Sequence, residues 1–243
     1  MNTMPSTFHI PGVPAPFATK GEKHWKETLA EALPREPLNG VGLRLRFGLS
    51  EVGVWPRKTD VDNLCEPVFS VVINRLGWFG GRRPNLDFFW AEKRYEPKTG
   101  LELTLLETRP GLDDLPNSAM IFEGTYDGPF PKSATDTDVP EWLASQDLRE
   151  PGEQAEKLSI HLRFSGHQVN IGDVATGAVK SLIDCLYPIL GGTAGAPDDW
   201  KVHRLLVEKD ASGLPGAVHI RILRWYEHAQ WGSWWGSHGR GRI

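Results

Sequence analysis

The second half of the chain repeats the sequence features of the first half in the same order. An alternating apolar segment at residues 43–47 (LRLRF) matches residues 160–164 (IHLRF), and a helix pattern that ends before residues 80–81 (GG) matches one that ends before residues 191–192 (GG). Landmarks that keep their order at nearly constant spacing mark a repeated structural unit. The sequence therefore predicts a tandem duplication of one α/β unit.

Each half contains the pattern of a small mixed sheet with packed helices. The period-two alternation of residues 43–47 predicts a half-buried strand, and a helix is expected over residues 60–76. Residues 88–95 and 101–106 are expected to pair as a hairpin. The expected fold class is α/β (α+β), with two tandem units that form an intrachain pseudo-dimer.

The chain is expected to divide into two units and a tail. The first unit is placed at residues 1–112, the second at residues 113–227, and a Trp/Gly/Arg-rich C-terminal tail at residues 228–243. The tail is a biased segment that need not fold alone. It offers either stacking surfaces for exposed bases or anchors for a protein partner.

Composition is that of a soluble globular protein, with 40% hydrophobic and 24% charged residues. No apolar run approaches the roughly 20 residues that a membrane helix needs, and the polar start of the chain does not resemble a signal peptide. We expect a cytoplasmic protein with no membrane partner. Cys65 and Cys185 lack metal-type spacing, so buried thiols in a reducing compartment are expected. No histidine, GxSxG or Walker motif assigns zinc or a nucleotide.

Charge is distributed unevenly along the chain. Residues 1–110 hold 15 Lys and Arg against 13 Asp and Glu, whereas residues 111–243 hold 12 against 18. A net charge of −4 argues against a dedicated, strongly basic nucleic-acid binder, but the first half can contact phosphates. The residues expected to bind nucleic acid are Arg44, Arg46, Arg57, Lys58, Arg82 and Arg83. A solvated face with interleaved acids is the alternative.

Asp60 and Asp62 are separated by one residue at the predicted start of a buried helix. Two such carboxylates cost stability unless a cation neutralises them. Oxygen ligands suit a hard ion such as Mg²⁺, which usually takes one or two carboxylates and keeps several waters. Such an ion can activate water and stabilise charge on a phosphodiester. The alternative is that the pair caps the helix, where Asp suits the free amides and the dipole.

The segment at residues 60–64 (DVDNL) follows a Pro-rich strand and loop and precedes a Gly-rich break and a strand. In this context it resembles the RusA family of Holliday junction resolvases. The resemblance covers the first half and, more faintly, the second. It implies a small, dimeric, magnesium-dependent α/β endonuclease that cuts branched DNA. The family pattern continues with a Lys near the helix start and an Asp-Asp pair before a strand. The first half departs from it, because Glu66 stands at the Lys position and residues 82–85 (RRPN) stand at the acidic pair.

The second half keeps the parts that the first half lacks. Residues 170–173 (NIGD) retain at most one acid of the DxD pair, but Lys180 lies on the predicted helix, and Asp198 and Asp199 stand just before a predicted strand. Taken alone, the Asp pair is typical of a turn and Lys180 of a solvated helix face.

Two interpretations follow from this complementary pattern. In one, the acids of both halves and Lys180 form a composite catalytic centre with Mg²⁺ that cleaves branched or duplex DNA. In the other, the chain is an inactive pseudo-nuclease that binds DNA or holds a larger complex together, in phage biology or antiphage defence.

Overall fold

The computed structural model describes residues 6–50, 52, 58–81, 85–109, 120–146, 157–166, 169–174, 177–210 and 216–225. These residues form a mixed α/β structure with helices packed against a large sheet. The strands are β1 (Thr7–Pro11), β2 (Gly42–Leu49), β3 (Phe88–Tyr95), β4 (Gly100–Leu106), β5 (Met120–Tyr126), β6 (Leu158–Ser165), β7 (Gly192–Thr193), β8 (Ala196–Pro197), β9 (Val202–Asp210) and β10 (Val218–Arg224). The helices are α1 (Glu22–Ala32), α2 (Val61–Phe69), α3 (Asp138–Ala144), α4 (Ala178–Cys185) and α5 (Tyr187–Leu190), with a π-helical turn at Ser70–Arg75 and 3₁₀ turns at Trp78–Gly80 and Asp199–Lys201. Among these described elements, no helix has the length and apolar character needed to cross a membrane.

Eight strands form one continuous sheet in the order β1-β4-β2-β3-β9-β6-β10-β5, and β7 and β8 form a separate small hairpin. From either edge, the pairing directions are antiparallel, antiparallel and then parallel. Each half of the chain contributes four strands, and the two sets meet at the antiparallel pair β3–β9. The small sheets expected for the two halves are thus joined into a single sheet.

The β3–β9 pair lies at the centre of the sheet. Trp90 stands opposite Leu206, and Glu92 stands opposite Arg204. Because main-chain hydrogen bonds cross this pair, the two halves share one backbone network. Loops at the ends of β3 and β9 are therefore brought close to elements of the other half.

Strand β2 illustrates how the sheet is buried on its inner face. Leu43, Leu45 and Phe47 are wholly buried in the core shared with α1 and α2, because successive side chains of a strand point to opposite faces. Each such side chain stabilises the fold by about 1.5–3 kcal/mol. The intervening Arg44 points to the outer face, as predicted, and its guanidinium lies 5.3 Å from the centre of the Trp90 ring.

The predicted hairpin of β3 with β4 is wrong. Strand β2 lies between them and pairs with both, so the connection at residues 96–99 crosses the end of β2. The crossing is close, because a Cβ at Gly48 would lie 2.6 Å from the main-chain oxygen of Lys98 and from Oε1 of Glu96. A short connection indicates that two strands are near each other, but it does not show whether a third strand separates them.

Helix α2 contains an internal proline whose missing hydrogen bond is replaced. Pro67 has no N–H to donate to the carbonyl oxygen of Asn63, and the main-chain N–H of Phe17 donates to that oxygen instead, at 2.9 Å. The exchange ties the loop before α1 to the first turn of α2. Cys65 on this helix and Cys185 on α4 are buried free thiols, as expected.

Candidate metal centre

Three carboxylates meet where the two halves of the chain join. Asp60 precedes α2, Asp62 lies in its first turn, and Asp199 begins the 3₁₀ turn before β9. One oxygen from each carboxylate lies within 4.8 Å of the other two. The acidic pair predicted from the first half and one acid predicted from the second half are therefore in a single cluster, which can hold a metal ion.

Asp60 occupies the N-cap position of α2 without capping it. Its backbone is extended, with φ −75° and ψ 138°, and its side chain makes no cap hydrogen bond. The carboxylate instead accepts a hydrogen bond from Nδ2 of Asn63 at 2.8 Å. The Asp60 carboxylate thus makes no hydrogen bond to the main-chain N–H groups that the capping interpretation requires.

Asp62 is almost completely buried, with 1% of its surface exposed. Its Oδ2 pairs with Nζ of Lys180 at 3.1 Å and accepts no further hydrogen bond from the described part of the chain. Helix α2 begins at Val61, between the two acids. The two carboxylates converge because Asp60 is extended and Asp62 is helical.

Lys180 on α4 is surrounded by carboxylates from both halves. Its Nζ lies 3.1 Å from Asp62, 2.8 Å from Asp199 and 2.8 Å from Asp184. Lys180 is among the residues predicted from the sequence, whereas Asp184 is not. The spacing of four residues between them on a predicted helix could have indicated this ion pair.

Lys93 is a second lysine at the cluster, and it was not among the residues predicted from the sequence. It lies on the inner face near the end of β3 and is completely buried. Its Nζ donates to the main-chain oxygen of Thr59 at 2.6 Å and to that of Trp200 at 2.5 Å. A charged residue in phase with the inward-facing Phe89 and Ala91 was the signal that could have identified it.

Burial raises the pKa of three of the carboxyl groups around Lys180. Burial, followed by the nearby Asp199 and Asp62 carboxylates, raises the pKa of Asp60 to about 7. Burial also raises the pKa of Asp62, although Lys180 acts in the opposite direction, and it raises the pKa of Asp184 to about 6. Without a metal ion, Asp60 therefore binds a proton close to neutral pH, and a bound cation would have to displace it.

The two lysines are shifted in opposite directions. Burial disfavours the charge of Lys180, but Asp62, Asp199 and Asp184 outweigh this effect, so that the pKa of Lys180 is raised above its usual range. Burial lowers the pKa of Lys93 to about 8, and the carboxylates only partly oppose it. Both side chains are still mainly cationic at neutral pH.

Asp198 was predicted to belong to the catalytic centre, but it lies outside the cluster of three carboxylates. Its Oδ2 pairs with Nζ of Lys201 at 3.0 Å, and its Oδ1 accepts a hydrogen bond from Nε1 of Trp200 at 3.1 Å. Burial acts to raise its pKa, but these two partners hold the pKa below its usual value. Adjacent residues of a tight turn point in different directions, so only Asp199 faces the cluster.

The predicted nucleic-acid-binding residues do not form one surface among the described residues. Arg44 and Arg46 lie on the outer face of the sheet, and Arg46 pairs with Glu96 at 3.6 Å. The carboxylate cluster lies on the inner side, near Lys93. Arg57, Arg82, Arg83 and the tail at residues 228–243 lie outside the described residues.

Lys58 is the predicted basic residue that lies beside the carboxylates. Its exposed Nζ is 6.0 Å from the centre of the Trp200 ring, and Nζ of Lys201 is 5.8 Å from the same ring. Trp200 is itself partly exposed. An indole flanked by two ammonium groups therefore lies next to Asp199, a surface that the sequence analysis did not identify.

The donor set of the cluster fits a hard cation. Asp60, Asp62 and Asp199 supply only carboxylate oxygens, which are the ligands that hard divalent ions prefer over soft thiolate ligands. The buried Oδ2 of Asp62 lies 3.1 Å from Nζ of Lys180, so a cation bound here would share this carboxylate with Lys180.

No protein-family model matches the chain, and no curated protein matches it either. The resemblance to the RusA family therefore rests on the sequence motifs and stays a prediction.

Proposed function

We propose that the chain is a RusA-like, Mg²⁺-dependent endonuclease that acts on branched or duplex DNA through one composite centre. The observation that carries this proposal is the meeting of Asp60 and Asp62 from the first half with Asp199 and Lys180 from the second. These are the residue types that the family resemblance requires, and each half alone lacks part of the set.

The strand order supports a tandem duplication as the origin of this arrangement. The same succession of pairing directions leads from each edge of the sheet to the central β3–β9 pair. Two units at residues 1–112 and 113–227 would then form a pseudo-dimer in one chain. A duplicated unit can lose part of each site when the other copy supplies what is missing.

Mg²⁺ is the proposed ion because the donors are all oxygen and few in number. Asp60, Asp62 and Asp199 would hold it, and it would supply charge neutralisation for the phosphodiester and an acidified water. Lys180, at 2.8 Å from Asp199, would partly neutralise the negative charge of the acids. With Asp184 as a second partner at 2.8 Å, Lys180 keeps a carboxylate contact if the other acids turn to a cation.

The surface beside the cluster supports DNA as the substrate. The exposed Lys58 can contact phosphates without regard to base sequence. The partly exposed Trp200 ring next to it offers a surface for an unpaired base, as aromatic side chains do in single-strand binding. Unpaired bases occur where DNA branches or opens.

The test is cleavage of a labelled four-way junction and of the matching linear duplex, with Mg²⁺ and with EDTA. We expect junction cleavage with Mg²⁺ that is lost in Asp60→Asn, Asp62→Asn and Asp199→Asn, a fall of at least about 100-fold as expected when a charge-stabilising group is removed. Asp198→Asn is the matched control and should keep cleavage within a few-fold. Folded wild-type protein that binds junctions but never nicks a branched substrate would exclude the enzyme.

A second candidate function is an inactive pseudo-nuclease that acts as a DNA-binding or assembly subunit. The observation that favours it is the position of Lys180, which already pairs with three carboxylates without a metal ion. In this case junction binding in a gel shift should be the same with Mg²⁺ and with EDTA. A stable protein partner in pull-downs, together with no affinity for nucleic acid, would favour the assembly role alone.

A further inference from the structure

We propose that Lys93 is a positioning residue that sets the spacing of the metal ligands by joining the loop of Asp60 to the loop of Asp199. This inference rests on the metal binding proposed above and assigns Lys93 no contact with the substrate. Its support is the burial of the side chain and the identity of its two hydrogen-bond acceptors.

The position of Lys93 is one that an apolar residue would ordinarily occupy. The side chain is 0% exposed and lies on the face of β3 that also carries the buried Phe89 and Ala91. Removing an ammonium group from water costs several kcal/mol unless hydrogen bonds replace its hydration. A lysine here is therefore stable only because of the specific contacts that it makes.

Those contacts are with the backbone next to a proposed metal ligand in each half of the chain. Nζ donates to the carbonyl oxygen of Thr59, which directly precedes Asp60, at 2.6 Å. It also donates to the carbonyl oxygen of Trp200, which directly follows Asp199, at 2.5 Å. One ammonium group thus bonds to both ligand-bearing segments, one from each half of the chain.

This arrangement separates a positioning role from a purely electrostatic one. A cation close to a metal site repels the metal ion, so a lysine that acted only by its charge would weaken metal binding, and its removal would strengthen it. A lysine that holds the ligands at their working separation has the opposite effect when removed. Groups that orient metal ligands typically cost 10–100-fold in affinity when mutated.

The experiment measures Mn²⁺ and Ca²⁺ binding to the full chain for the wild type, Lys93→Met and Lys209→Met, by Mn²⁺ electron paramagnetic resonance and by calorimetry. Lys209→Met is the matched control, because Lys209 lies near the end of the inner face of β9 and its main-chain N–H pairs with Asp87 rather than with the cluster. We expect Lys93→Met to weaken Mn²⁺ binding by about 10–100-fold and Ca²⁺ binding by less, because Ca²⁺ tolerates irregular geometry. Lys209→Met should leave both affinities unchanged.

Unchanged or tighter Mn²⁺ binding by Lys93→Met would overturn the inference. A lower melting temperature with an unchanged ratio of Mn²⁺ to Ca²⁺ affinity would also overturn it, since it would reveal a role in stability alone. If Lys93→Met does not fold, Lys93→Arg provides the test. Its larger head group should lower the ratio of Mn²⁺ to Ca²⁺ affinity, and a ratio equal to that of the wild type would contradict the proposal. Failure of the wild type to bind either ion would refute the proposed metal centre instead.

Discussion

At the scale of single residues, the cluster is a compact set of charges that are balanced within the fold. Asp62, Asp184 and Asp199 surround Lys180 at ion-pair distances. Asp60 is different, because it lacks such a pair to Lys180 and its pKa is raised to about 7 by burial and by the neighbouring acids. It is therefore an acid whose proton a cation has to displace.

The raised pKa of Asp60 makes metal binding depend on pH. Burial makes ionisation of the Asp60 carboxyl unfavourable, so this group keeps its proton from its ordinary pKa of 3.8 up to a pH of about 7. A cation has to displace that proton, and it therefore binds more tightly as pH rises through this range. Displacing one proton should raise Mn²⁺ affinity by about tenfold per pH unit between about pH 5.5 and 7, with a plateau above. Calorimetry of the wild type and of Asp198→Asn should give the same profile. An affinity that does not change over this range would show that Asp60 is already ionised.

At the scale of elements, the placement of β2 between β3 and β4 depends on a close crossing. The connection at residues 96–99 runs over Gly48, where main-chain and side-chain atoms leave no room for a Cβ. A strand segment without a side chain at this point is what allows β3 and β4 to flank β2. The same placement positions β3 so that Nζ of Lys93 can bond to the carbonyl oxygen of Thr59, just before α2.

Substitution of Gly48 by Ala should destabilise the fold by about 2 kcal/mol, because the new methyl group would overlap the main-chain oxygen of Lys98. Urea unfolding gives the free energy of unfolding for wild type and variant. The double variant Gly48→Ala with Glu96→Ala removes the flexible part of the overlap and keeps the main-chain part. Full rescue by Glu96→Ala would show that only the Glu96 side chain was in the way.

At the scale of the whole molecule, the two halves share a sheet and a hydrophobic core. Buried residues from α1 and α2 of the first half and from α4 and β6 of the second belong to the same cluster. The carboxylate cluster draws on both halves as well. A disturbance in one half is therefore transmitted to the site through the shared core and backbone.

We expect the protein to unfold in a single transition. Leu162 on β6 is 0% exposed. Leu162→Ala should lower the free energy of unfolding of the whole protein by about 2–5 kcal/mol, and unfolding should still occur in one transition. Circular dichroism and tryptophan fluorescence should give coincident curves. Two separable steps, of which only one responds to Leu162→Ala, would mean that the halves unfold independently.

Much of the local structure and part of the site could be predicted from the sequence. The alternation of Leu43, Leu45 and Phe47 with arginines determined β2 and its buried face, because side-chain direction in a strand follows from position alone. The start of α2 at the acidic motif and the two buried thiols were predicted for similar local reasons. Asp60 and Asp62 were predicted from the DxD motif, whereas Lys180, Asp198 and Asp199 were predicted from the resemblance to the RusA family.

Only the tertiary structure decided which of these residues meet. Asp198 and Asp199 are equivalent in sequence, but the turn before β9 points only Asp199 at the cluster. The order of strands, the insertion of β2 and the reach of Lys93 to Thr59 and Trp200 depend on long-range pairing. Local patterns determine which face a side chain takes within its own element. The contacts between elements follow from how the sheet closes at β3 and β9, and this is why the candidate centre became visible only in three dimensions.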